Sequence, residues 1–125
     1  MIRYQYVTDF APPAPFVNLK LQGPNAGPKS ESPAQLDSAA DRTVIPGRLV
    51  AELQLTSVRQ IMVEGLGGDV HTLDAFVVWI QIHDLQPIAA EVVAHDDETF
   101  VLLGRDVLNQ LRIVLDGPKQ ILEIG

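Results

Sequence analysis

Ala34-Gln35-Leu36-Asp37-Ser38-Ala39-Ala40-Asp41-Arg42-Thr43-Val44-Ile45-Pro46 is the stretch on which the reading of the fold turns. A short apolar segment delivers one carboxylate, Asp37, and the small residues Ser38, Ala39 and Ala40 follow at once. A hydroxyl and two methyls leave the backbone open to close approach by another chain or a ligand. Apolar sequence resumes at Val44-Ile45-Pro46, which places the acid on a sharp turn between two buried pieces. An isolated Asp after a strand is ordinarily a turn or cap residue. Its meaning therefore depends on what surrounds it.

Upstream, Gln22 to Pro33 is rich in Gly, Pro, Ser and Asn and reads as a surface loop. Phe16 to Leu21 alternates apolar with polar residues and predicts a strand, as does Ile2 to Tyr6 at the start of the chain. Pro12, Pro13 and Pro15 force an extended link between them. Residues 1-15 are accordingly set apart as an N-terminal extension, with residues 16-125 as the main domain. Downstream, Arg48 to Leu55 fits either a strand or one helical turn. Ile61-Met62-Val63 and Val70 to Phe76 flank the Gly-rich tip Glu64-Gly65-Leu66-Gly67-Gly68-Asp69, the pattern of a β-hairpin. Further strands are expected over Phe76 to Ile82, Ile88 to Ala94, Thr99 to Leu103, Ile113 to Leu115 and Gln120 to Ile124. Val107, Leu108 and Leu111 recur at helical spacing and predict a short helix of about two turns. Many short strands with regular turn signals and one late helix predict an all-β domain, closed barrel or sandwich.

The chain has 125 residues, 46% of them hydrophobic and 20% charged, which suits one globular domain with a sizeable core. A formal net charge of −7 argues against nucleic acid and offers an anionic membrane nothing to attract. With no cysteine there is neither a disulfide framework nor thiol chemistry. His71, His83 and His95 are spaced twelve residues apart on different elements, which matches no metal-ligand pattern. The first residues lack the apolar core of a signal peptide, and Ala75 to Ile80 is too short to span a bilayer. A cytoplasmic protein without metal, cofactor, nucleic-acid or membrane partner is the expectation.

A second segment near the other end changes the weight of Asp37. Val101-Leu102-Leu103-Gly104-Arg105-Asp106-Val107-Leu108 is similar to the segment that opens the C-terminal helix of retropepsin-like aspartic proteases. Asp37-Ser38-Ala39-Ala40 resembles the active-site loop of the same family, where Asp, Thr or Ser, Gly and Ala follow a hydrophobic strand. Two motifs in the right order are far more specific than either alone.

The resemblance implies a homodimeric acid-protease fold in which each chain donates one Asp37. Activating water between two carboxylates is chemistry that one such loop cannot perform, because base and acid must share a proton. No internal repeat supplies a second loop, so the partner is a second copy of the chain and the substrate a peptide or protein. The resemblance further implies that Ser38 links the two loops, that Asp41 and Arg105 pair in support of the dimer, and that Ala39, Ala40 and Asp41 line the substrate. It also implies that Gly65, Leu66, Gly67 and Gly68 form a flap over bound peptide, and that Ile121 to Ile124 joins an inter-subunit sheet. Ala39 departs from the family, which usually has Gly there. The alternative it opens is a catalytically silent dimer that binds peptides or serves in assembly.

Overall fold

Alternating burial builds the walls of this molecule. The computed structural model describes residues 1–64 and 67–125. In chain order the elements are β1 (Ile2–Gln5), β2 (Phe16–Gln22), β3 (Lys29–Leu36), β4 (Val44–Pro46), α1 (Arg48–Glu52), β5 (Arg59–Glu64) and β6 (Val70–Ile82). β7 (Ile88–His95), β8 (Val101–Leu103), α2 (Arg105–Leu108), β9 (Ile113–Asp116) and β10 (Ile121–Ile124) complete the chain. In β2, Val17, Leu19 and Leu21 point inward while Asn18 and Lys20 face solvent, the period of two that a half-buried strand requires.

The larger sheet has seven strands in the order β2-β3-β8-β4-β7-β6-β5. An additional pairing of β2 with β6, Leu19 to Gln22 against Ile82 to Trp79, closes all of them except β5 into a barrel. Closure removes the free edges that an open sheet would expose. Two pairings, β3 with β8 and β4 with β7, are parallel, and they bring the two ends of the sequence side by side. A second sheet, β1-β10-β9, lies against the barrel, and its buried Leu122 and Ile124 belong to the same core as Leu19, Leu21, Ile80 and Val92.

The all-β expectation holds, with several corrections of detail. Gln22 to Pro33 is not one loop: β3 starts at Lys29 and pairs along β2, so Ser30 and Ser32 are strand residues despite their turn-like chemistry. Pro33 is tolerated because it precedes the stretch of β3 that β8 joins, which begins at Ala34. Val70 to Ile82 is one strand of 13 residues, not two, its first half paired with β5 and its second with β2 and β7. The late helix is four residues long, shorter than two turns. A second helix, α1, stands where the spacing left strand and helix open. Its Leu49, with Leu53 beyond its end, is fully buried beneath the barrel mouth. Glu52 on the same helix accepts the Ser30 hydroxyl at 2.8 Å, and this bond, with Arg48 beside it, holds its carboxyl below the usual range. Leu49→Ala should cost about 3 kcal/mol through lost burial and an unfilled cavity, read as a lower urea midpoint at unchanged slope.

The N-terminal segment supplies β1, which pairs with β10 from Ile2↔Ile124 to Gln5↔Ile121. β9 occupies the other side of β10, from Ile113↔Ile124 to Asp116↔Ile121. β10 therefore has both of its edges taken by its own chain. Ile121 to Ile124, expected in an inter-subunit sheet, would reach one only through β1 or β9 of its own chain. Among the described residues, no helix is long and apolar enough to cross a membrane.

Candidate active site

Asp37 follows β3 directly, at the point where the chain leaves the barrel wall. Its backbone N–H donates to the Leu103 carbonyl at 2.9 Å, extending the parallel β3–β8 ladder by one bond. The following turn is closed by the Ala40 N–H, which donates to the Asp37 carbonyl at 3.2 Å. The Ala39 N–H donates to Asp37 Oδ1 at 3.2 Å, so the amide beside the methyl orients the carboxylate. Asp37 is half-buried, whereas Ser38 and Ala39 are exposed. The carboxylate sits in a shaped turn with one face open.

Ala39 lies outside the left-handed region: the non-glycine residues with positive φ are Ala26, Gln54, His83 and Gln120. The methyl is accommodated without the backbone strain that a positive φ would impose.

Arg105 holds this loop from the far end of the sequence. Its N–H donates to the Ala40 carbonyl at 2.9 Å, and its Nη1 donates to the Ser38 carbonyl at 2.8 Å. Its Nη2 pairs with Asp41 Oδ1 in a charge-assisted hydrogen bond. Gly104 comes before it because the chain passes close to residues 42 and 43. A Cβ at position 104 would lie 2.5 Å from the Arg42 carbonyl carbon.

Sequence reasoning missed the pair beneath this clamp. Thr43 is fully buried, and its hydroxyl donates to Asp106 Oδ1 at 2.8 Å. Its N–H donates to Asp106 Oδ2 at 3.1 Å, while the Gly104 N–H donates to the Thr43 hydroxyl at 3.1 Å. The Val107 N–H caps the same carboxylate at 2.9 Å. The only signal was the adjacency of Asp106 to Gly104 and Arg105, and neither residue carries a periodicity that marks it.

Phe10, Phe16 and Phe100 form an aromatic cluster with ring centroids 4.8 to 6.0 Å apart. Phe16 lies opposite Gln35 of β3, two residues before Asp37, and the Phe10 ring is partly exposed. Of the hairpin tip, Gly67 and Gly68 have φ of 94° and 84°, turn geometry that favours glycine. Gly65 and Leu66 lie outside the described residues. Among the described residues no backbone hydrogen bond joins the tip to the Asp37 loop. No group of three or more His, Asp or Glu side chains among them is arranged to hold a metal ion.

A family model described as "Aspartyl protease" matches residues 18–107. Among solved structures, a retropepsin-like aspartic protease from Rickettsia conorii superposes with a TM-score of 0.64 at 14% identity, covering 97% of this chain and 87% of that one. The EIAV protease, solved with an inhibitor, gives a TM-score of 0.52 at 21% identity over 78% of this chain and 86% of its own. The foamy viral protease-reverse transcriptase gives a TM-score of 0.56 at 13% identity over 78% of this chain, which spans only 12% of that one. No protein of curated function matches.

Proposed function

Because the chain belongs to the aspartyl protease family, we propose that it is an aspartic endopeptidase working as a homodimer, with a water molecule activated between Asp37 and Asp37 of the partner subunit. The observation that carries this reading is the Asp37 turn, held in shape by Leu103, Arg105 and its own Ala39 amide, with one carboxylate per chain. One Asp37 takes the proton of the attacking water while the other protonates the carbonyl oxygen; as the tetrahedral intermediate collapses, the first gives its proton to the leaving amine and the second takes one back from a hydroxyl of the intermediate. Two carboxylates brought close together cannot both ionise easily and therefore share a proton. Ser38 and Ala39 are exposed and small, so an extended peptide has room to lie against the loop.

The test is cleavage of a mixed-sequence peptide library between about pH 3 and 7, the range in which a shared-proton dyad operates. Asp37→Asn should lower the rate by about 10²- to 10⁴-fold with little change in melting temperature. The exposed Ala39 methyl favours one other reading, peptide binding without hydrolysis. Peptide affinity in both proteins with cleavage in neither would establish that reading instead.

A further inference from the structure

The second half of β6 carries the chain's only tryptophan, and it faces out. Val78, Ile80 and Ile82 are buried in the core, so Val77, Trp79 and Gln81 lie on the outer face of the barrel. Trp79 is 43% exposed, a large ring left uncovered on a wall whose inner face is fully packed. Its neighbours follow from the strand register. One row across the sheet reads Ala89, Trp79, Gln22, Lys29, and the next reads Gln81, Lys20, Glu31. Over these rows lies an open hollow of about 580 Å³, whose lining includes Trp79, Lys20, Lys29, Gln22, Gln81 and Pro87.

Charge sets this hollow apart from the rest of the molecule. The chain has a formal net charge of −7 and its lysines are Lys20, Lys29 and Lys119, of which the first two meet here. Both are exposed. Among the described residues neither forms an ion pair, although Glu31 stands opposite Lys20. Lys20 is diagonal to both Trp79 and Lys29, about 7–8 Å from each, while Trp79 and Lys29 stand two strands apart, at roughly 10 Å. The ring and the two lysines thus mark a triangle with Gln22 midway along its longest side. Gln22 Nε2 donates to the Gly27 carbonyl at 2.9 Å, and Gln81 Nε2 donates to the Leu85 carbonyl at 3.0 Å. Both carboxamides are held in place before any ligand arrives, which lowers the cost of ordering the site.

The backbone offers nothing here. Lys20 to Gln22 pair with β3 on one side and with β6 on the other, and Trp79 pairs with both β2 and β7. A segment that adds as a further strand has no edge to join, so recognition falls to the side chains. An indole attracts a second ring by stacking, and ammonium groups attract phosphate or carboxylate oxygens. We infer that this hollow binds a small planar anion, an aromatic ring bearing a phosphate or a carboxylate, with the ring against Trp79 and the charge between Lys20 and Lys29. Lys29 opens β3, whereas Asp37 follows its last residue. At about 3.3 Å per residue, the strand sets the hollow and the Asp37 turn on the order of 20 Å apart. Ligand binding here is independent of the reaction proposed at Asp37.

Because Trp79 is the only tryptophan, its fluorescence reports the site directly. Adenosine monophosphate and benzoate, one ring anion of each kind, are the probes. At least one should change the emission saturably, and the tighter of the two identifies the preferred anion as phosphate or carboxylate. Adenosine, the ring without the charge, and inorganic phosphate, the charge without the ring, should each bind about tenfold more weakly than the monophosphate. Lys20→Gln and Lys29→Gln should each weaken the better probe by about threefold to fivefold. The double variant should lose the salt dependence of binding as well. Trp79→Leu, followed by calorimetry, should weaken binding by about tenfold or more. All these side chains are on the outer face, so the melting transition should stay in place.

Asp37→Asn should bind the probes as wild type does, whether or not the protein proves to be a peptidase. Emission unchanged by both probes at millimolar concentration, or binding indifferent to the loss of both lysines, would overturn the inference. A hexaglutamate peptide that binds where neither ring anion does would also overturn it, and would assign the hollow to an acidic protein segment.

Discussion

Asp106→Ala should destabilise the fold by about 4 kcal/mol, a large share of the 5–15 kcal/mol that holds a domain of this kind together. The carboxylate accepts the Thr43 N–H, the Thr43 hydroxyl and the Val107 N–H at 3.1, 2.8 and 2.9 Å. Thr43 is fully buried, so the truncation leaves its N–H with neither a protein partner nor water. A buried donor in that state costs about 1–3 kcal/mol, and bonds to an ionised group are stronger than neutral ones. Asp106→Asn keeps one acceptor oxygen and should lose about half as much, on the order of 2 kcal/mol. Urea unfolding of the two variants beside wild type measures both values. A full loss in Asp106→Ala with none in Asp106→Asn would show that the bonds to the ionised carboxylate contribute little beyond side-chain volume.

Gly104→Ala should cost about 3 kcal/mol, at the upper end of what a single added methyl does. The backbone here is ordinary and extended, φ −86° and ψ −179°, so conformational freedom is not what glycine provides. Space is. The added Cβ would lie 2.5 Å from the Arg42 carbonyl carbon, 2.7 Å from its oxygen and 2.9 Å from the Thr43 nitrogen. All three atoms belong to the backbone of the loop that leads out of the Asp37 turn, and none can rotate away as a flexible side chain would. On the function proposed above, the variant should consequently fall behind wild type in peptide cleavage at temperatures where it is still folded. Gly117→Ala is the control, since nothing lies within 4 Å of a Cβ there, and it should change stability by less than about 0.5 kcal/mol.

These two residues show where reading the chain succeeded and where it could not. The Asp37 turn and Gly104-Arg105 were legible because they break regular patterns, a carboxylate and a glycine each following an apolar run. The strands were legible wherever burial alternates, as in β2 and β10. β3 was not, because Ser30, Ser32 and Pro33 carry turn chemistry and are strand residues only by virtue of the neighbours that pair with them. The single long β6 was split for a related reason: its first half covers a two-stranded hairpin and its second a barrel wall, so the burial pattern changes midway. Thr43 and Asp106 are separated by 63 residues, and a buried polar pair that distant leaves no local trace.

The parallel pairing of β3 with β8 also governs when the Asp37 turn can first take shape. A chain emerges from the ribosome N-terminus first, and contacts between distant segments form late. Asp37 is made long before Leu103, Arg105 and Asp106, which supply the partners for its amide, for the Ser38 and Ala40 carbonyls and for Thr43. Until they arrive, the carboxylate hangs on an unshaped segment. A nascent chain thus carries Asp37 on an unformed segment through most of synthesis, and the turn around it assembles only when the barrel closes.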